Sequence, residues 1–236
     1  HAGGDVPGVV LAAKLAHGNQ LASRTGGLTN CRPDGLPPAR PRARLVFWFM
    51  AAVAVRDSYF ETGLEILADL GYAGLKLAEV CNRLGVTTGS FYHYFPNWPA
   101  YTRDLLTYWR HDRTVRIIDA IRQEPDPRQR ITAIIDVALR LPHGAEAAIR
   151  VWSSVDPNVL QIQREVDQQR FDILYSSARE IVNDERQAQI YAAWSVFVFV
   201  GYEQSTLPRE NSMFEWISKQ MLDDLESGRF ADVPPQ

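Results

Sequence analysis

The run GYAGLKLAEVCNRLGVTTGSFYHYFPN, residues 71–97, restricts what this chain can fold into more than any other segment. Its apolar spacing describes two short helices meeting at a tight corner. In the first, Leu77, Val80, Cys81 and Leu84 fall at i, i+3, i+4 and i+7 and line one helix face. Gly85 suits the left-handed position that ends a helix without a Cβ clash, and Val86 is the apolar residue that tucks back. Thr87 stands where an N-cap belongs, so the second helix is predicted to begin at Thr88. Phe91 and Phe95, four apart, form its inward face and leave Thr88, Ser90, His93 and the Tyr92 and Tyr94 hydroxyls pointing elsewhere. A slim, hydroxyl-rich first turn suits entry into a major groove. An ordinary helical corner with surface tyrosines fits the same local pattern.

Upstream, over residues 56–70, Phe60, Gly63, Leu64 and Leu67 repeat the spacing and Gly71 closes the segment, so three helices enclose one small core. With this helix ending in Leu70-Gly71-Tyr72, then Leu77-x-x-Val80, Leu84-Gly85-Val86, Gly89-Ser90-Phe91-Tyr92 and Tyr94-Phe95, residues 59–105 resemble the TetR family of one-component transcriptional regulators. The resemblance implies a homodimer whose two recognition helices enter successive major grooves of a palindromic double-stranded DNA operator. It further implies a repressor, released when a small-molecule effector binds the other domain. Residue by residue, it points to Thr88, Gly89, Ser90 and His93 as base-side groups and to Lys76, Thr87, Tyr92 and Tyr94 as phosphate contacts.

Two positions depart from the family pattern. Leu75 and Lys76 stand where a pair of hydroxyl residues usually opens the second helix, so the usual cap is missing and Lys76 is left to contact phosphate. Trp98 replaces the basic residue usual after the recognition helix, while Pro99 fits the first turn of a fourth helix. The recognition helix itself carries no Lys or Arg.

Charge is thin here as well. Residues 51–105 hold four basic side chains (Arg56, Lys76, Arg83, Arg103) against six acidic ones (Asp57, Glu61, Glu65, Asp69, Glu79, Asp104). Residues 1–50 are instead basic, at +4, with Arg40, Arg42 and Arg44 just ahead of the first helix. This extension reads first as a disordered or flexible solvated tail, and second as an arm able to enter a minor groove. The chain begins with His1, and Met50 directly precedes the matching region, so the residues before Met50 read as an upstream extension or as sequence foreign to the folded unit. The Pro- and Arg-rich residues 35–44 read as linker.

The net charge of −3 over 236 residues predicts no general affinity for nucleic acid, so any DNA binding is local. Cys31 and Cys81 are too few and too far apart in character for a disulfide framework, which fits a reducing cytoplasm. The apolar run at 45–55 is shorter than the ~20 residues a membrane-spanning helix needs. It imitates a signal peptide, but with some forty residues upstream and the helical corner downstream it reads better as an extension of the first helix.

Beyond residue 105 every clear signal is helical, giving an all-α chain: an extension at 1–50, a helix-turn-helix domain at 51–105 and a larger effector-binding and dimerisation domain at 106–236. Helices are predicted over 99–122, 128–141, 145–155, 158–182, 185–202 and 212–225, with a break at 142–144. Residues 148–170 also resemble a regulatory-domain pattern of some TetR-type proteins. The helix over 185–202 is apolar nearly all round and needs cover on both sides, which predicts homodimerisation through the last two helices. Tyr108, Trp109, Trp152, Phe171, Tyr175, Tyr191, Trp194 and Phe197 are candidates for an effector pocket, and core packing accounts for the same residues. Arg150, Asp167 and Arg170 read as exposed helix charges before they read as a buried polar group.

An enzyme is the rival class. His1, His17, His93, His111 and His143 are scattered, and no Glu-x-x-His pair, nucleophile elbow, phosphate-binding glycine loop or Cys-x-x-Cys occurs. No catalytic group, metal site, cofactor or membrane partner is therefore expected. A third reading keeps the fold as a helical ligand-binding protein with weak or no operator binding.

Overall fold

The computed structural model describes residues 41–232, with side chains from Val55 onward. Among the described residues every regular element is helical and none is a strand. The expectations placed on Cys31, Arg40 and the extension up to residue 40, and on the side chains of Arg42 and Arg44, lie outside the described residues. The linker reading stops short at Pro41, because the backbone from there to Met50 is already helical. The apolar run at 45–55 does extend the first helix.

Helix α1 spans Pro41–Gly74 and breaks at Gly71, whose φ of 67° and ψ of −175° leave the helical region. Nothing crowds a Cβ there, so the requirement for glycine is one of backbone freedom. Helix α2 spans Leu77–Leu84 and ends on left-handed Gly85 (φ 65°, ψ 31°). The Gly85 N–H donates to the Asn82 carbonyl at 3.1 Å and the Val86 N–H to the Cys81 carbonyl at 3.0 Å, satisfying the last carbonyls of α2. Helix α3 (Thr88–Tyr94) is capped by Thr87. Helix α4 (Trp98–Arg110) opens with Pro99 in its first turn, and the Asn97 side chain accepts the Ala100 N–H at 2.8 Å.

The expected single helix over 99–122 contains an irregularity. Residues His111–Val115 form a π turn between α4 and α5, which spans Arg116–Ile121. With this wider turn Arg113 reaches Glu61 of α1 at 3.2 Å and Thr114 is buried.

Helices α6 (Pro127–Ala138), α7 (His143–Ser153), α8 (Pro157–Val182), α9 (Glu185–Gln204) and α10 (Asn211–Glu226) complete the body. Helix α8 packs along α9 and against α6 and α7, and α7 in turn packs on α1. The break expected at 142–144 is shorter than predicted: Pro142 precedes α7, but Gly144 belongs to its first turn. A Cβ on Gly144 would come within 2.9 Å of the Ala68 carbonyl oxygen and 3.0 Å of its Cα, so the missing side chain lets α7 close on α1.

The core follows that contact. Tyr59, Leu67, Val80, Phe91, Phe95, Tyr101, Leu105 and Trp109 form one buried cluster with Ala145, Ile149, Trp152, Val159 and Val166. Packing is therefore continuous across the boundary expected at 105/106. A second cluster, including Ile131, Leu174, Ala178, Tyr191, Met221 and Leu225, joins α6, α8, α9 and α10. Among the described residues no helix is long and apolar enough to cross a membrane.

Candidate nucleic-acid interface and internal cavity

Helix α3 stands on two fully buried rings, Phe91 and Phe95. Tyr59 of α1 meets them edge-on, with centroids 5.9 Å and 5.5 Å away. This anchors a helix of only seven residues that would not persist alone. The Thr87 hydroxyl accepts the Ser90 N–H at 3.2 Å and lies 3.3 Å from the Ser90 hydroxyl. Thr87, Thr88, Gly89, Ser90, Tyr92 and His93 are all exposed, whereas Tyr94 is half-buried with its ring 5.6 Å from that of Tyr59. Lys76 is exposed at the N-cap position of α2 and makes no capping hydrogen bond, as its side chain requires. The corner thus exposes seven of the eight sequence-selected residues and turns Tyr94 partly back onto the core.

Positive charge here is thinner than the sequence count suggests. Arg83 is held by Asp69 at 2.7 Å and Glu79 at 2.9 Å. Arg56 is held by Asp104 at 2.7 Å and lies over the Phe95 ring at 5.0 Å. Lys76 and Arg103 make no ion pair among the described residues. Trp98 is half-buried, 4.9 Å from the Tyr101 ring and 6.0 Å from that of Phe91. At a position where the resemblance leads one to expect a basic residue on phosphate, this side chain covers the core.

The body holds a partly open cavity of about 90 Å³, several times the space one water needs. Its wall is mostly aliphatic, with Ile118, Ile121, Ile135, Leu174 and Met221 beside Phe199 and Phe214, and its polar members are Arg113, Thr114, Arg170, Ser195 and Ser218. Of the eight aromatic candidates, Tyr191 alone lines it. Tyr108 donates to Glu61 at 2.5 Å and ties α4 to α1, while Trp109 donates to Glu146 at 2.6 Å and Trp152 stacks on Tyr72 at 4.7 Å, tying α4 and α1 to α7. Phe171 and Tyr175 stack on each other at 6.0 Å beside the second core cluster. Trp194 and Phe197 are 45% and 70% exposed and face away from the cavity. Packing and surface claim seven of the eight candidate rings; most of the cavity wall is branched aliphatic, which carries no compositional signal of its own.

Arg150, Asp167 and Arg170 are not the exposed charges their sequence suggests. Arg150 grips Asp167 through both terminal nitrogens at 2.8 Å, and Gln163 donates to the same carboxylate at 3.1 Å. Arg170 donates to one oxygen of buried Glu146 at 2.7 Å, while the other oxygen accepts Trp109. Burial disfavours the charged form of Arg170, but Glu146 beside it holds the guanidinium above its ordinary value. Burial pushes the Glu203 carboxyl up from the usual range, and the hydrogen bond from His143 opposes that shift. Glu146 and Glu203 escaped the sequence reading, which weighed His143 only as one of five scattered histidines. The available signal was an acidic residue set in an apolar stretch, as in Ala145-Glu146-Ala147-Ala148-Ile149 and Val200-Gly201-Tyr202-Glu203.

Residues 60–97 match the family described as bacterial regulatory proteins, tetR family. No curated protein matches the chain significantly. Among solved structures, a transcriptional regulator from Rhodococcus sp. Rha1 is 18% identical with a TM-score of 0.62, covering 76% of this chain and 99% of that one. A protein from Saccharomonospora viridis assigned to transcriptional regulation, in complex with choline, is 13% identical with a TM-score of 0.61, covering 72% and 96%. A protein from Rhodococcus sp. assigned as a TetR-family transcriptional regulator is 13% identical with a TM-score of 0.58, covering 72% and 98%. At these identities the likeness is one of fold.

Proposed function

We propose that this chain, whose residues 60–97 match the tetR-family model and whose helical body shares its fold with a solved transcriptional regulator, is a cytoplasmic TetR-family repressor that binds a palindromic operator as a homodimer. The observation that carries this reading is the outward face of α3, polar and exposed, on a floor of two fully buried phenylalanines. Thr88, Gly89, Ser90 and His93 contact base edges; Lys76, Thr87, Tyr92 and Tyr94 contact phosphates.

One recognition helix reads few base pairs, so the proposal needs a second copy. Exposed Trp194 and Phe197 on α9 and Met213 and Trp216 on α10 supply an apolar surface for it, arranged for symmetric pairing into a four-helix bundle. The effector enters the body cavity, as small-molecule binding by the choline-bound relative of the same fold supports. Arg113 lines that cavity and also reaches Glu61 of α1, which accepts Tyr108 as well. A ligand that moves Arg113 therefore acts on the helix that floors α3.

Selection of random duplexes by the full chain at low salt tests the proposal. A palindrome with half-sites about one helical turn apart is expected. Failure to enrich any sequence overturns it. The internal neutralisation of Arg56 and Arg83 favours a second reading in that event, a ligand-binding protein of this fold with weak or no operator binding.

A further inference from the structure

We propose that the body cavity takes a small amphipathic acid, with one carboxylate or equivalent anionic acceptor on a compact apolar body, anchored by Arg170. This rests on the reading of the cavity as the effector site and specifies its ligand.

The wall carries charge of one sign only. Among the described residues its charged members are Arg113 and Arg170, and no acidic residue lines it. Glu146 and Glu203, which influence Arg170 electrostatically, stand outside the wall. Arg113 is already paired with Glu61 at 3.2 Å and Asp112 at 3.5 Å, which leaves Arg170 as the guanidinium with a nitrogen to spare, and no carboxylate lines the wall to receive a cation. An anion would meet the Arg170 guanidinium in an apolar surround where its attraction is weakly screened.

Arg170 is half used. Its Nη2 donates to Glu146 at 2.7 Å, whereas Nη1 is buried without a hydrogen-bond partner. Only 14% of the side chain is exposed, and the Phe199 ring, itself part of the wall, lies 5.2 Å from the guanidinium carbon. The fork is thus fixed by Glu146 on one branch and by an aromatic face, with one terminal nitrogen left over. Thr114 Oγ1, on a residue that lines the same cavity, is also buried without a hydrogen-bond partner, while Arg113 Nε lies 3.5 Å from the Asp112 carboxylate. Buried donors left unmatched are uncommon because their desolvation goes uncompensated, and a guanidinium recognises a carboxylate better than any neutral acceptor. The remaining wall, Ile121, Ile135, Leu174 and Met221 among others, is suited to a short hydrocarbon.

The test is calorimetric titration of the full chain with hexanoate, 1-hexanol and hexyltrimethylammonium, which share an apolar body and differ in head group. Hexanoate is expected to bind at least about tenfold more tightly than hexanol, the worth of one charge-assisted hydrogen bond, and the cation not at all. Arg170→Gln should erase the preference of acid over alcohol. Because Arg170 also holds Glu146, a second variant, Ala138→Leu, fills the cavity from another wall and should abolish hexanoate binding while thermal unfolding stays cooperative. Equal binding of alcohol and acid, preference for the cation, hexanoate binding that survives the filled cavity, or no hexanoate binding each overturns the proposal. Operator selection is read separately: success there with no hexanoate binding rejects the ligand class alone, whereas hexanoate binding without any operator leaves the ligand class standing and rejects the regulator reading.

Discussion

His143 Nδ1 and Glu203 Oε1 meet at 3.3 Å, tying the first residue of α7 to the last turn of α9, and the Glu203 side chain has no exposed surface. Burial raises the Glu203 carboxyl above its ordinary range, with the His143 hydrogen bond acting the other way. The folded chain therefore keeps a proton that the unfolded chain releases. The stability from this group is complete below the ordinary carboxylate range and is lost as pH rises through the folded value. Glu203→Gln removes that titration. Chemical denaturation across the range from ordinary carboxylate pKa to neutrality should show the variant gaining on the wild type as pH rises; a constant difference would contradict the assignment.

On the DNA side, the exposed residues of α2 and α3 should divide by role. Thr88→Ala and His93→Ala are expected to change preference at single base positions by about 1–3 kcal/mol. Lys76→Ala should weaken binding to all sequences alike and reduce the salt slope by about 1. None of the three side chains belongs to the buried core, so folding is unaffected. Binding isotherms on the selected operator and its point variants, over a series of salt concentrations, separate the two classes. Uniform losses from every variant would refute the division.

Phe197 is 70% exposed in the protomer and should be covered in the dimer. Phe197→Glu is expected to raise the dimer dissociation constant by roughly thirtyfold or more, the effect of removing a central interface anchor, with an unchanged helical spectrum. Sedimentation equilibrium measures this directly. A dimer indifferent to the substitution would place the interface elsewhere.

The reading head was legible because its determinants are local. The Leu77–Val80–Cys81–Leu84 spacing, Gly71 and Gly85 at helix ends, Thr87 as cap and Phe91 with Phe95 beneath α3 all act within a few residues, and each is found where the sequence puts it. The body was legible only as a set of helices. What the cavity is made of depends on which helix faces which, and aliphatic residues that wall a cavity look the same in sequence as those that fill a core. Gly144 reads as a chain breaker until Ala68, far away in sequence, is brought against it. The buried ions were hidden for the same reason: Arg170 and Glu146 are 24 positions apart on different helices, and periodicity says nothing about which charges pair.

The π turn at His111–Val115 sets α4 and α5 out of step with each other along one continuous rod. An i→i+5 bond takes up one residue more than an α turn, and at 3.6 residues per turn one residue is about 100° of rotation. With that offset Tyr101 and Leu105 face the core of the head while Ile118 and Ile121 face the cavity. Rewinding the turn to ordinary α geometry would pit one aim against the other. The residues that set the rotation of α4 relative to α5 therefore include two, Arg113 and Thr114, that also line the cavity.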